Sequence, residues 1–361
     1  MKRFRLVLVR AFDRSIPPND LDALAERVER QAPDIDVAVA GKRRAEQWRL
    51  LPHAFRPTLT IGFGGLKRSR FLSGQILHCP KLPKHKELER LRAAGIPVPD
   101  WVVIAPGTRL DPADWGPYVV VKPTLGQRGA DVRIRKTGRV RYAAPESFPP
   151  DHAIRKGPLI AQRFVYTGPW AVSYRVCTFL GRALYCWRVE QSHQKRRLES
   201  RWSFAGSAAA GGIQIIAPSK TSAYALVDDQ EVIAIAERAH RLAFPNYPML
   251  GFDLLRDAES GQVSVIEANS GGNVWHLSSP AGIELQRAHG MDFAAQFGAL
   301  DRAAEQLIEV TRRHAMLAPI GRPHPPFLQS PLTRGGAGGM RGRTTRASSS
   351  ASRRWTKPLG W

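Results

Sequence analysis

Three side chains that could hold a cation lie in the segment 251–273, GFDLLRDAESGQVSVIEANSGGN. Two short apolar runs flank a polar turn in this segment, a pattern that predicts a β-hairpin. Side chains alternate between the faces of a strand, so Glu267 and Asn269 point the same way, and the turn would pair Asp253 opposite Glu267. Two carboxylates and an amide on one face would suit Mg²⁺ held jointly with phosphate groups. A solvent-facing polar edge of the hairpin is the alternative interpretation.

A second group of residues that could bind phosphate lies in the segment 118–134, YVVVKPTLGQRGADVRI. Lys122 ends a predicted strand, and a loop with Gly126 and Gly129 leads into the next strand. Glycines let backbone N–H groups approach a phosphate, and the lysine supplies positive charge. No GKS or GKT is present and the next element is a strand, so this is not a Walker loop. We predict a strand–loop–strand phosphate cover, with an ordinary hairpin as the alternative.

Two further segments contain candidate ligand-binding residues. In the apolar run GPLIAQRFVY, residues Gln162 to Val165 could form a linker whose backbone amides and carbonyls read the edge of an adenine ring. Residues 173–180 and 183–190 alternate around a Gly-Arg turn and predict a hairpin. Arg175 lies on the first of these strands and is a candidate anion ligand, although a surface arginine is the usual case.

The remaining pattern predicts the elements that would position these residues. The N-terminal part alternates strand, helix and strand, which predicts a small α/β unit with a parallel sheet. Its predicted strands are 4–10, 35–39 and 58–61. A short helix, 84–94, stops at Gly95. Asp228 caps another helix, 228–242, whose apolar stripe ends at Leu242.

Composition limits the class of protein without identifying a partner. The chain of 361 residues has a formal net charge of +23, and eight Lys or Arg but no Asp or Glu lie in 321–361. Such charge suits a phosphate-bearing ligand or an acidic substrate. No apolar run approaches the length of a membrane span, and LVLV near the N-terminus is too short for the core of a signal peptide.

The cysteines and the tail complete the description. Cys79, Cys177 and Cys186 have no metal-type spacing, so we expect buried reduced thiols and a cytoplasmic protein. Pairing of Cys177 with Cys186 across a hairpin is the alternative. The tail 321–361 is rich in Pro, Gly, Ser and Arg, and we expect it to be disordered. Its arginines could contact RNA or acidic partners weakly; we expect no other nucleic-acid binding and no membrane association.

The order of these pieces resembles the ATP-grasp superfamily of carboxylate–amine ligases over nearly all of residues 1–315. An α/β unit is followed by a lysine helix ending in AGIPVP, a strand-end KP before a glycine loop, LIAQRFV, an arginine on a strand, a helix, GFDLL and VIEANS. Any one piece is weak, whereas five in this order are specific to the fold. The chain is similar to the ribosomal-protein glutamyl ligase and D-Ala–D-Ala ligase groups, and the substrate stays open.

The resemblance implies a mixed α/β and α+β architecture with an ATP-grasp fold. An N-terminal Rossmann-like (pre-ATP-grasp) α/β domain would cover 1–83. The nucleotide would lie between two α+β subdomains, 84–165 and 166–320, and 321–361 would be a disordered basic tail.

The resemblance also implies a role for each candidate residue. ATP would be bound by Lys84 (with Lys86 as the fallback), Lys122, Gly126, Gly129, Gln162, Phe164 and Val165. Mg²⁺ or Mn²⁺ would be held by Asp253, Glu267 and Asn269. Catalytic roles would fall to Arg175, near the γ-phosphate and the acylphosphate, and to Lys122.

The implied reaction is ADP-forming formation of a C–N bond. A substrate carboxylate attacks the γ-phosphate, and an amine or thiol captures the resulting acylphosphate. The carboxylate and the amine would be small molecules or peptides, and the sequence is compatible with an oligomer. Two other functions stay open: a phosphotransferase on the same fold that acts on a hydroxyl, and a nucleotide-binding basic scaffold with little turnover.

Two segments depart from the family pattern. FAGSAAAGG has no asparagine ahead of its paired glycines, and Arg128 adds charge to a loop that is often small and hydroxylated in relatives. The run SGGNVWHLSS contains Asn273, Trp275 and His276, which could line the acceptor pocket. Core packing of Trp275 and His276 is the alternative interpretation.

Overall fold

The computed structural model describes residues 2–10, 16–41, 56–64, 66, 72–126, 131–150, 152–191, 197–198, 200–202, 222–270 and 274–317. Within these ranges the chain forms three β-sheets flanked by helices, a mixed α/β and α+β architecture. No helix among these residues has both the length and the apolar character that a membrane span requires. Some sequence predictions fall outside the described residues: Arg128, Gly129, Asn273, FAGSAAAGG and the tail 321–361.

Four parallel strands form the N-terminal sheet, in the order β2-β1-β3-β4. They are β1 Phe4–Val9, β2 Ile35–Ala40, β3 Thr58–Gly62 and β4 Gln75–His78. Helix α1, Pro18–Gln31, buries Leu21, Leu24 and Val28 in the core that it shares with this sheet. The predicted parallel sheet is present. Apolar periodicity does not predict β4, because two of its four residues are polar.

The second sheet is small and antiparallel, in the order β5-β8-β6-β7. Its strands are β5 Trp101–Val103, β6 Tyr118–Pro123, β7 Arg133–Lys136 and β8 Leu159–Arg163. Helix α2, Lys84–Ala93, precedes it, and the short helix α3, Pro112–Trp115, lies between β5 and β6. The N–H of Lys84 donates to the Thr124 oxygen at 2.9 Å, so the start of α2 is tied to the end of β6.

Five antiparallel strands form the third sheet, in the order β11-β10-β9-β12-β13. They are β9 Val172–Phe179, β10 Arg182–Glu190, β11 Ala223–Leu226, β12 Met249–Arg256 and β13 Val263–Asn269. The helices of this part are α4 Gln230–Ala243, α5 Pro280–His289, α6 Phe293–Gln296 and α7 Ala299–His314. Both predicted hairpins, β9–β10 and β12–β13, are present.

Cys177 and Cys186 are not paired across the β9–β10 hairpin. The register places Cys177 opposite Tyr185 and Cys186 opposite Val176. All three cysteines are buried and none forms a disulfide within the described ranges. Reduced, buried thiols are therefore the observed state.

The N-cap of helix α4 lies one residue later than predicted. Asp229, not Asp228, is the N-cap, and its carboxylate accepts a hydrogen bond from the Val232 N–H at 3.2 Å. Both aspartates are suitable caps by residue type, so the sequence pattern alone does not choose between them.

The inward face of α4 also differs from the predicted stripe. Leu242 is 58 % exposed, whereas His240 is buried. The His240 ring lies 2.7 Å from Thr178 Oγ1 and 2.6 Å from the Tyr247 oxygen, which satisfies both ring nitrogens. Thr178 lies on β9, far from α4 in sequence, so apolar periodicity does not register this contact and assigns the buried position to Leu242 instead.

Gly282 is required where α5 packs on the chain that precedes it. A Cβ at this position would lie 1.9 Å from the backbone oxygen of His276. Alanine favours a helix over glycine by about 1 kcal/mol, yet we expect Gly282→Ala to destabilise the protein by about 2 kcal/mol because backbone atoms must move. Urea denaturation would measure this loss. An alanine variant as stable as the wild type would contradict the close packing.

Gly290 offers the matched control for this substitution. Its φ is +62°, and a Cβ there would meet nothing within 4 Å. Gly290→Ala should therefore destabilise the protein only by the backbone strain of a left-handed alanine, about 1 kcal/mol.

Candidate functional site

A single row of side chains crosses four strands of the third sheet. The register pairs Trp187 with Arg175, Arg175 with Asp253, and Asp253 with Glu267. Directly opposed residues of antiparallel strands point to one face, so all four side chains share it. The predicted pairing of Asp253 with Glu267 is present, and Arg175 lies beside it.

Arg175 forms a bidentate ion pair with Asp253. Its Nε and Nη2 each donate to a carboxylate oxygen at 2.6 Å. Asn269 Nδ2 donates to Oδ2 of the same carboxylate at 3.0 Å, and the guanidinium lies 6.0 Å from the centre of the Trp187 ring. Burial alone would lower the pKa of Arg175, but the Asp253 carboxylate raises it above its ordinary value. The arginine is therefore a fixed positive charge.

Lys84 contacts Glu267 from the first turn of α2. Its Nζ lies 2.6 Å from Glu267 Oε1 and 3.5 Å from the Gly126 oxygen, where the glycine loop starts. Burial alone would raise the pKa of Glu267, but Lys84 and Lys122 hold it below its usual value. Lys86 pairs instead with Glu89 at 2.7 Å, with both side chains about half exposed. The structure thus brings Lys84, and not Lys86, to Glu267.

Lys122 contacts the same strand at a β-bulge in β13. Asp253 pairs with Glu267 but Leu254 pairs with Val265, so Ile266 is the extra residue. Its carbonyl oxygen accepts a hydrogen bond from Lys122 Nζ at 3.1 Å. Bulges re-aim nearby groups and are frequent at functional sites.

Lys122 is a buried amine at the end of β6. The residue is 5 % exposed, and burial lowers its pKa to about 8. With Lys84, it extends from the second sheet and its helix to β13 of the third sheet. The two lysines therefore connect these two parts of the chain.

The adenine-hinge candidates lie on and just after β8. Gln162 belongs to the strand rather than to a linker, and its register partners are Trp101 and Val120. Gln162 Nε2 is buried and has no hydrogen-bond partner among the described residues. An unsatisfied buried donor costs about 1–3 kcal/mol, so this amide suits a ligand acceptor. Phe164 and Val165 follow the strand and are half-buried.

Glu87 is a site residue that sequence reasoning missed. It lies one turn after Lys84 on α2, is 7 % exposed, and its carboxylate accepts the Ala268 N–H. Burial, and next the Glu267 charge, raise its pKa to about 8. Helical spacing was the sequence signal that could have identified it, because Glu87 lies on the same helix face as Lys84 and Leu91. A carboxylate on an inward helical face indicates a polar site.

Glu87 should make stability depend on pH. Its folded pKa of about 8 lies above the ordinary 4.5, so the folded protein keeps a proton that the unfolded chain loses. Stability should therefore fall as pH rises from 4.5 to about 8. Glu87→Gln removes this term, and near pH 8 the variant should exceed the wild type by on the order of 3 kcal/mol.

Denaturation curves at several pH values would measure the Glu87 effect. The pH-dependent difference between the two proteins should disappear as the pH falls below 4.5, where Glu87 becomes protonated in both states, which provides an internal control. A constant difference across this range would contradict the buried, proton-retaining carboxylate.

The two described aromatic candidates after β13 differ in their surroundings. Trp275 is fully buried, and its Nε1 donates to Asp20 Oδ2 at 2.6 Å, which supports the core-packing interpretation. His276 lies edge-on to Trp187, with ring centres 5.1 Å apart, at one end of the row. Burial and then the Arg175 charge lower the His276 pKa to about 4, so its ring is neutral at neutral pH.

The donor set Asp253, Glu267 and Asn269 fits a hard divalent cation that needs additional ligands. No three His, Cys, Asp or Glu side chains of the described ranges converge as a complete metal site. Two carboxylates and one amide on one face leave further positions to be filled by other oxygens. Mg²⁺ sites of this kind are completed by water and substrate phosphates.

Comparison with known proteins gives similarity in structure only. Neither a known protein family nor a curated protein matches the sequence. D-cycloserine synthetase is 18 % identical, covers 84 % of this chain and 99 % of its own, and has a TM-score of 0.45. D-alanine–D-alanine ligase from Bacillus anthracis is 12 % identical, with coverages of 86 % and 99 % and a TM-score of 0.44.

A RimK-domain ATP-grasp protein from Sphaerobacter thermophilus DSM 20745 is also similar. It is 14 % identical, covers 84 % of this chain and 98 % of its own, and has a TM-score of 0.40. Because the TM-scores are below 0.5, the functional proposal rests on the contacts of the site itself.

Proposed function

We propose that the protein is an ATP- and Mg²⁺-dependent ligase that joins a carboxylate to an amine. The observation that carries this proposal is the convergence on β13. Lys84 of helix α2 contacts Glu267, and Lys122 of the second sheet contacts the Ile266 oxygen, beside the Arg175–Asp253 pair of the third sheet. Alternating cationic and anionic groups of this kind match a site for phosphates and a divalent cation.

The cationic residues would act on the phosphates of ATP. Lys84 and Lys122 would neutralise the phosphate chain, and Gly126 at the start of the glycine loop would let the backbone approach it. Arg175 would face the γ-phosphate and stabilise the charge that develops during transfer. The Gln162 amide would donate to the adenine, and Phe164 and Val165 would border the ring.

The oxygen ligands of the site would hold the metal. Asp253, Glu267 and Asn269 would bind Mg²⁺ or Mn²⁺. When bound, the cation would neutralise phosphate charge as a Lewis acid. Asn269 would also keep the Asp253 carboxylate oriented, as its Nδ2 does at 3.0 Å.

The described side chains of the site could position phosphates and neutralise their charge, which fits a reaction between two bound substrates. A substrate carboxylate oxygen would attack the γ-phosphorus, the bond to ADP would break, and an acylphosphate would form. The amine would then attack the acyl carbon, and phosphate would leave with formation of an amide. Small molecules or peptides would supply the carboxylate and the amine.

Product analysis tests this proposal. The full-length protein is incubated with ATP, Mg²⁺, pools of amino acids and short peptides, and hydroxylamine as a general amine. ADP and a hydroxamate in equal amounts are expected, detected by mass spectrometry. Lys122→Ala should abolish both products, whereas Lys136→Ala, at an exposed lysine of β7, should retain them. A phosphate ester would indicate a phosphotransferase, and ATP binding without products would indicate a scaffold.

A further inference from the structure

Both carboxylates proposed to bind the metal are paired with cationic side chains of the protein itself. Lys84 Nζ lies 2.6 Å from Glu267 Oε1, and Arg175 contacts both oxygens of Asp253 at 2.6 Å. The proposed function assigns the same two cations to the phosphates of ATP. Each cation therefore has a carboxylate partner in the protein and a phosphate partner in the ligand.

The two ion pairs differ in how firmly they are held. Arg175 makes two hydrogen bonds to Asp253, Asn269 binds the same carboxylate, and the guanidinium lies over Trp187. Lys84 makes one bond to Glu267 and a longer one of 3.5 Å to a backbone oxygen. A lysine ammonium on a flexible side chain can also change partner more easily than a bidentate arginine, which must break two oriented hydrogen bonds at once. Lys84–Glu267 is the pair suited to exchange.

We propose that Lys84 is an exchangeable counter-ion of Glu267. Without nucleotide, its ammonium occupies the carboxylate oxygen that the metal needs. When ATP binds, Nζ transfers to a phosphate and releases Glu267 to Mg²⁺, so the nucleotide and the metal bind together and Mg²⁺ alone binds weakly. This inference rests on the proposed function and adds an order of binding to it.

Electrostatics gives the exchange its driving force. Glu267 is about three-quarters buried, so its charge requires a partner in every state, and the same is true of Lys84. A metal ion and an ammonium cannot share one carboxylate oxygen at contact distance without repulsion. Transfer of Lys84 to a phosphate leaves both groups paired, whereas metal entry alone would leave Lys84 without its partner.

The test uses Mn²⁺ as the probe, with free Mn²⁺ measured by electron paramagnetic resonance on the full-length protein. Without nucleotide, Lys84→Met should bind Mn²⁺ about tenfold more tightly than the wild type, because Glu267 is no longer occupied. The same variant should bind metal-free ATP about tenfold more weakly, because one phosphate contact is lost. Lys81→Met, at an exposed lysine before α2, is the control and should change neither affinity.

The opposite signs of the two changes make the outcomes distinct. If Lys84→Met binds Mn²⁺ no more tightly than the wild type while wild-type protein binds ATP with Mg²⁺, the exchange is refuted and the proposed function stands. If folded wild-type protein binds neither ATP nor ATP with Mg²⁺, the proposed function and the exchange both fail. Lys84→Gln provides a second variant with a polar side chain, and circular dichroism verifies the fold of each.

Discussion

Replacing Glu267 by alanine is expected to lower the affinity for ATP in the presence of Mg²⁺ by about 100-fold. The substitution removes a proposed metal ligand, leaves Lys84 without its carboxylate partner, and removes a negative charge that acts on Lys122. Affinity for ATP without Mg²⁺ should be retained or increased, since both lysines become available to the phosphates. Calorimetry with and without Mg²⁺ measures the two affinities separately.

The control for this prediction is Glu89→Ala. Glu89 lies on α2, about half exposed, and pairs with Lys86 at the surface. The control should bind ATP with Mg²⁺ as the wild type does. A Glu267→Ala protein that keeps its Mg²⁺-dependent affinity would contradict the assignment of this residue as a metal ligand.

Replacing Asp253 by alanine is expected to destabilise the folded protein by about 3 kcal/mol. Arg175 would keep its positive charge in a position where 26 % of the side chain is exposed, and its two hydrogen bonds to the Asp253 carboxylate would be gone. Removal of one member of a largely buried ion pair costs more than removal of both. The double variant Arg175→Met with Asp253→Leu should therefore recover most of the lost stability, as measured by urea denaturation.

An exposed pair provides the comparison for Asp253. Asp100 lies 3.7 Å from Arg92 and 3.8 Å from Arg163, with 61 % of its side chain exposed. Asp100→Ala should change stability by at most about 0.5 kcal/mol, as is usual for surface ion pairs. If Asp253→Ala is as mild as this, or if the double variant is less stable than the single one, the Arg175–Asp253 pair does not stabilise the fold as a buried ion pair would.

Local patterns predicted the elements that carry the site. Alternation and turn residues were sufficient for the β12–β13 hairpin and for the pairing of Asp253 with Glu267. Helix α2 ends at Ala93, close to the predicted stop at Gly95, whose φ is +68°. These features depend on short stretches of chain, in which residue type and spacing largely determine the structure.

Features that depend on distant contacts were not predicted. The bulge at Ile266 shifts the register within a strand whose sequence shows no break, and it provides the carbonyl for Lys122. Glu87 becomes a buried site residue only because α2 packs on β13. Gln162 was expected in a linker, yet it pairs with Trp101 across strands that are far apart in sequence. In each case a tertiary contact decides the role of the residue.

The central claim is that the residues gathered on β13 form a nucleotide site that depends on a divalent cation. Titration calorimetry of the full-length wild-type protein with ATP, with and without Mg²⁺, tests it most directly. We predict saturable ATP binding that Mg²⁺ strengthens, and its loss in Lys122→Ala. Absence of ATP binding by well-folded wild-type protein under both conditions would contradict the claim.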